Sequence, residues 1–169
     1  MTIKIGDSLP AATLTESAGQ DDAKNCPLPP APVDIAALAA DKKIVIFGLP
    51  GAFTPTCSAQ HVPGYVKHYD ALKAKGVDAI ICMAVNDGFV MGAWGQTQHV
   101  EGKVRMMGDG SAAFTKALGL ELDLTKNGMG VRCQRFSLLV ENGIVKQVNV
   151  EGVGPANCSY AENMLAQLG

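Results

Sequence analysis

Thr54-Pro55-Thr56-Cys57 closes the turn between an apolar run, Ile44-Val45-Ile46-Phe47-Gly48, and an amphipathic helical pattern. A cysteine at such a strand-to-helix junction meets free backbone N–H groups and the positive end of a helix, and both favour its thiolate. The redox dithiol signature C-x-x-C would place a second cysteine at position 54, where a threonine hydroxyl stands instead. One activated thiol beside a hydroxyl suits attack on a small oxidant. It suits disulfide shuttling within the motif poorly.

With Cys57, the remaining four cysteines, Cys26, Cys82, Cys133 and Cys158, make an odd total of five, widely spaced and without a C-x-x-C pair. That pattern predicts free thiols rather than a disulfide framework. Cys57 and His61 have the nearest metal-ligand spacing, but no second cluster joins them, so no metal site is expected. Composition narrows the remaining classes. With 47% hydrophobic and 18% charged residues the chain reads as folded, and its net charge of -2 with scattered Lys and Arg offers no nucleic-acid surface. Met1 to Asp7 lacks the apolar core of a signal peptide, and no apolar run approaches the roughly 20 residues of a membrane span. The expectation is a cytoplasmic protein whose 169 residues form a single domain over 1–169, with no membrane or nucleic-acid partner.

The elements that must position Cys57 follow from periodicity and punctuation. Ser8 to Glu16 reads as a short hairpin or edge strands, and the proline-rich stretch from Ser17 to Pro32 as a surface loop. Asp34 can cap a helix over 35–40, ahead of the strand Ile44–Gly48. Val62, Tyr65, Val66, Tyr69 and Leu72 recur at helical spacing, with a kink expected at Pro63-Gly64. Val77 to Val85 is apolar enough for a strand buried on both faces. Further on come a helix over 87–98, a strand over 103–107, a helix over 111–118 closed by Gly119, and a long loop over 121–131. Asn142-Gly143 joins two strands as a hairpin, and Ser159-x-x-Glu162 reads as a capping box opening a last helix. Strands alternating with helices, then a hairpin, predict an α/β fold with a mixed central sheet covered by helices on both faces. A thioredoxin-like architecture fits that order best.

The run Gly48-Leu49-Pro50-Gly51-Ala52-Phe53-Thr54-Pro55-Thr56-Cys57-Ser58, followed by His61-Val62-Pro63-Gly64, resembles the active-site loop of type II peroxiredoxins, the peroxiredoxin-five subfamily. Ala84 to Val90 and Arg132-x-x-Arg135-Phe136-Ser137 are similar to the same subfamily in order and spacing, and the resemblance covers essentially the whole chain. It implies a thiol-specific peroxidase that reduces hydrogen peroxide and organic hydroperoxides through a sulfenic acid, in antioxidant defence and redox homeostasis. By resemblance, Cys57 is the peroxidatic cysteine, Thr54 hydrogen-bonds the thiolate and orients peroxide, and Pro50 shields the thiolate from water. Arg135 matches the arginine that stabilises thiolate and transition state, with Arg132 behind it. His61 is assigned no catalytic role.

Chemistry supports that division of labour. A free cysteine has a pKa near ~8.5 and is mostly protonated at neutral pH. A helix end contributes about 0.3–1 kcal/mol, whereas an adjacent guanidinium at an effective dielectric near ~20 contributes a few, so the arginine must dominate. No cofactor is expected. The resemblance implies an external thiol reductant, glutathione with glutaredoxin or else thioredoxin, and a homodimer. Cys82 and Cys158 match, in different relatives, the position of a resolving cysteine; an external thiol is favoured over both. The rival readings are a thiol-disulfide oxidoreductase on the same fold and a redox sensor or holdase.

Overall fold

A computed structural model describes residues 1–17, 20–21, 26–152 and 157–169. In chain order its elements are β1 (Thr13–Glu16), β2 (Gln20–Asp21), β3 (Cys26–Pro27), β4 (Ala31–Asp34), α1 (Ile35–Ala39) and β5 (Lys43–Gly48). A π-helical turn (Cys57–His61) runs into α2 (Val62–Lys67), followed by α3 (Tyr69–Ala74), β6 (Ala79–Ala84), α4 (Gly88–Thr97), β7 (Arg105–Gly108) and α5 (Ala113–Leu118). The chain ends with β8 (Glu121–Leu124), β9 (Gly130–Cys133), β10 (Phe136–Glu141), β11 (Ile144–Val150) and α6 (Ala161–Gln167).

The large sheet has the order β11-β10-β5-β6-β7-β1-β4. β5, β6 and β7 run parallel, while β10 and β11 on one side and β1 and β4 on the other are antiparallel. This is the mixed, thioredoxin-like sheet expected from the element order. Alternation along the central strands divides the core in two. Val45 and Phe47 of β5 join Cys82 of β6 on the face covered by α2, α3, α4 and α6, where Cys57 also lies. Ile44 and Ile46 point the other way, against Ile35 of α1 and Phe114 and Leu118 of α5. The backbones of β5 and β10 can meet closely because Gly48 leaves room for the Phe136 ring: a Cβ there would stand 2.1 Å from it.

Local signals explain several boundaries. Asp34 Oδ1 accepts the N–H groups of Ala36 and Ala37 at 2.9 and 3.0 Å, the N-cap expected of it. Asn142 and Gly143 both take positive φ, 48° and 73°, as a type I′ hairpin turn demands. Three expectations need correction. Part of the proline-rich stretch is strand, because β4 lies at the sheet edge, where Pro32 opposite Thr15 can be accommodated; residues 18–19 and 22–25 of that stretch fall outside the described residues. The stretch 121–131 is a hairpin of β8 on β9, turned by Gly128 and Gly130 at positive φ. The irregularity near Pro63 comes ahead of it, as the π turn: a proline cannot donate to residue 59 and its ring crowds that carbonyl, so the helix widens and Val62 N–H reaches back to Cys57 O.

Candidate active site

The loop between β5 and α2 is held at each step. Leu49 N–H donates to Met83 O at 3.3 Å, and Ala52 N–H donates to Asn86 Oδ1 at 3.0 Å. Thr54 Oγ1 donates to Gly51 O at 2.8 Å, and Thr54 O accepts the first helical bond from Ser58 N–H at 3.0 Å. Helical geometry therefore starts at Pro55, which has no N–H to leave unpaired, and Cys57 is its third residue. The Cys57 side chain is fully buried at the positive helix end. Phe53, 58% exposed and at φ 60°, is a bulky residue in a left-handed conformation, so this loop holds backbone strain.

Arg135, on the short link between β9 and β10, closes the site from the sheet side. Its Nη2 donates to Cys57 Sγ at 3.1 Å, and its Nη1 donates to His61 Nδ1 at 2.9 Å. The guanidinium spans two residues of one helical turn and holds the sulfur by a charge-assisted bond. His61 is buried, and its pKa is lowered to about 3, first by desolvation and then by the Arg135 charge, so the ring is neutral. Aromatic neighbours flank it: Tyr160 stacks on the ring at 4.9 Å between centroids, and Phe47 packs against it tilted by 56° at 5.0 Å.

The structure brings Cys57 and Arg135 together as the motif implied. Thr54 stands in the same loop, but its one donor proton goes to the Gly51 carbonyl, and its lone pairs are what remain for other groups. Pro50 is half-buried two residues beyond β5. Arg132 acts at a distance: Nε donates to Met129 O at 2.8 Å and Nη1 to Val85 O at 3.4 Å, and Nη1 would lie 2.9 Å from a Cβ at Gly51. It braces the loop at Gly51, a glycine because the guanidinium occupies that space. Cys82 and Cys133 are fully buried, and desolvation leads the causes that raise both thiols; Cys158 is half-buried, raised by burial and then by Glu151. Of the segment leading to Cys158, residues 153–156 fall outside the described residues. Among the described residues no cluster of three His, Cys, Asp or Glu side chains is arranged to hold a metal.

Sequence reasoning missed His61, Ser159 and Glu151. Ser159 does not cap α6: Tyr160 is the N-cap residue, and the Ser159 N–H and Oγ–H both go to Glu151 Oε1, at 2.8 and 2.6 Å. Glu162 instead pairs with His68 at 3.0 Å. The Ser159 carbonyl receives His61 Nε2 at 3.2 Å and Tyr65 OH at 2.7 Å. The one signal available was His61, one helical turn beyond Cys57 and thus on the same face.

Residues 4–165 match the Redoxin family model. The chain belongs to the Redoxin family. Among its redoxin relatives, peroxiredoxin-2C of Oryza sativa subsp. japonica is 46% identical over 166 residues, 98% of each chain. Reduced Prx3 of Vibrio vulnificus, solved in complex with hydrogen peroxide, is 45% identical, with 99% of this chain and 100% of that one covered and a TM-score of 0.89. A Burkholderia cenocepacia protein provisionally named thioredoxin reductase is 54% identical, with 100% and 99% covered and a TM-score of 0.92.

Proposed function

We infer that this redoxin is a thiol peroxidase reducing hydrogen peroxide and organic hydroperoxides through a sulfenic acid on Cys57. One observation carries the assignment of the site: a buried cysteine at a helix start with an arginine Nη2 3.1 Å from its sulfur. The thiolate attacks one peroxide oxygen, an S–O bond forms as the O–O bond breaks, and the leaving oxygen departs as water or alcohol after taking a proton. Sulfur is oxidised by two electrons and the peroxide reduced by two. The Arg135 guanidinium stabilises the thiolate before attack and the charge on the leaving oxygen during it. Thr54 orients peroxide from the loop, Pro50 keeps water from the sulfur, and Arg132 holds the loop they share.

Within the family, the loop motif from Gly48 to Ser58 and the Arg132-x-x-Arg135 pair support the peroxiredoxin-five type. An external thiol, glutathione with or without glutaredoxin, reduces the sulfenic acid, with thioredoxin the alternative donor. Burial of Cys82 in the central sheet and the pKa-raising surroundings of Cys158 support an external donor over either internal thiol. The rest of this reading is a cytoplasmic homodimer that needs no metal or organic cofactor. A dithiol oxidoreductase reading is less well supported, since Thr54 occupies the position of its second cysteine.

Mass spectrometry after one equivalent of peroxide tests the scheme. Sulfenic acid on Cys57, converted to a mixed disulfide by glutathione, is the expected result. A Cys57–Cys158 or Cys57–Cys82 disulfide formed ahead of the mixed disulfide would overturn the external donor. Peroxide consumed no faster than by free cysteine would overturn the peroxidase itself.

A further inference from the structure

Arg135 has two donors at work on the thiol site, and only one of them touches sulfur. The other, Nη1, ends on His61 Nδ1 at 2.9 Å. A guanidinium has N–H groups and no acceptor, so Nδ1 must present a lone pair. The ring is neutral, so its proton resides on Nε2. Opposite Nε2 stand the Ser159 carbonyl at 3.2 Å and Ser159 Oγ at 3.4 Å. The carbonyl can only accept. The hydroxyl could donate or accept, and its proton is already committed to Glu151 Oε1 at 2.6 Å. Ser159 therefore offers Nε2 acceptors alone, and the Nε2–H tautomer is the one that suits both Arg135 and Ser159.

We propose that Glu151 and Ser159 are positioning residues for the peroxide reaction, fixing the His61 tautomer that anchors Arg135 Nη1 and thereby aims Nη2 at Cys57 Sγ. Glu151 holds this arrangement from both ends. Its backbone N–H donates to Arg135 O at 2.8 Å, and its carboxylate holds the Ser159 N–H and hydroxyl. With the carboxylate gone, the Ser159 hydroxyl is free to donate to Nε2, the imidazole proton moves to Nδ1, and two donors then face each other at Arg135. The guanidinium must swing away, and the sulfur loses its charge-assisted bond. Glu151 does not act on Cys57 through its charge, because a nearby carboxylate opposes a thiolate; it acts through geometry.

The proposal rests on the peroxidase reading for its kinetic consequence, but its structural half can be read without turnover. Long-range ¹H–¹⁵N correlation of the reduced wild-type protein reads the imidazole tautomer, and Nε2–H is expected for His61. An Nδ1–H ring or an imidazolium at neutral pH overturns the proposal, whatever the peroxidase activity. Stopped-flow peroxide oxidation supplies the second readout. Glu151→Ala is expected to slow it at least tenfold, and Glu151→Gln, whose amide oxygen can still accept from Ser159, to remain within about threefold of wild type. A Gln variant as slow as the Ala variant points to charge and overturns the positioning role, as does a folded Ala variant at the wild-type rate. Should Glu151→Ala not fold, Glu151→Asp takes its place, since its shorter side chain keeps the charge but draws the carboxylate back from the Ser159 hydroxyl. Glu151→Asp is expected to slow peroxide attack at least tenfold with His61 shifted to Nδ1–H, and a wild-type rate, or a slowed one with Nε2–H kept, overturns the tautomer as the link.

Discussion

Three of the five cysteines, Cys57, Cys82 and Cys133, are fully buried, yet they face different chemistry. Cys82 sits in a parallel strand within an apolar cluster, and burial raises its pKa well above that of a free thiol. Cys133 donates weakly to Leu49 O at 3.4 Å, in the opposite core, and burial and then Asp109 push its thiol up. Cys57 alone of the three receives a hydrogen bond from a guanidinium, at a helix start. Burial by itself makes a thiol inert, because the thiolate is the nucleophile and low polarity penalises it. Burial with an aimed cation does the reverse: it removes competing water and strengthens the one interaction that favours the anion.

The harshest test of that contrast swaps the sulfurs one at a time. Cys57→Ser is expected to abolish peroxide turnover with the fold intact by circular dichroism. Cys82→Ala and Cys133→Ala should keep the peroxide-attack step within a few-fold of wild type, because neither sulfur has a cationic donor. Appreciable turnover in Cys57→Ser would break the comparison outright.

Removing the cation while keeping the sulfur comes next. Losing a charged hydrogen bond in a buried site costs about 2–3 kcal/mol, which corresponds to roughly 30- to 200-fold in rate. Arg135→Ala should therefore slow both peroxide attack and iodoacetamide alkylation by about that much. Arg132→Ala, which removes the brace at Gly51 rather than a bond to sulfur, should cost less than a third as much on a logarithmic scale. Alkylation and peroxide rates for both variants decide it: equal losses would mean that the brace matters as much as the aim.

These differences also show what was legible in the residues alone. Cys57 was legible because its activation is local: a strand end, a tight loop and a helix start adjoin in sequence. Arg135 was legible only by resemblance, since it arrives from 78 residues away. The direction of the Thr54 hydroxyl was not, because the Gly51 carbonyl competes for its proton within the same turn. Ser159-x-x-Glu162 carried the pattern of a capping box, but Glu151, at the end of β11, takes both Ser159 donors, and His68 takes Glu162. A tertiary acceptor outcompeted a local one. The β8–β9 hairpin reads as a loop because the alternation within β8, at Leu122 and Leu124, is short and half-exposed. His61 was set aside because a lone histidine on a helix declares no partner until the sheet delivers one.

Thr54 sharpens the comparison on a smaller scale. Its hydroxyl ties the loop through Gly51 O, so Thr54→Val removes a neutral hydrogen bond worth about 0.5–1.5 kcal/mol without touching the charge. Peroxide attack should fall by roughly tenfold or less, and Thr54→Ser should recover most of it. A loss as large as that of Arg135→Ala would show that the hydroxyl, and not the cation, separates Cys57 from the inert thiols.

The smallest effect is one of stability, and it reads the cation's surroundings directly. His61 is pushed from its usual value down to about 3, mainly by burial and then by Arg135, so it stays neutral in the folded protein while the unfolded chain binds a proton below about pH 6.5. Between those two values the unfolded state carries more protons, so this group makes stability rise with pH. The contribution is complete above pH 6.5 and is lost progressively as pH falls towards 3. From pH 6.5 to 5 one such histidine accounts for about 1.5 kcal/mol. Asn at this position does not titrate, so in urea titrations the stability of wild type minus that of His61→Asn should shrink by about that amount across the interval. A difference that stays constant with pH would mean that the imidazole titrates as it does in solution and is not held neutral against Arg135. The pocket around Cys57 would then lack the dryness that makes one aimed guanidinium so effective.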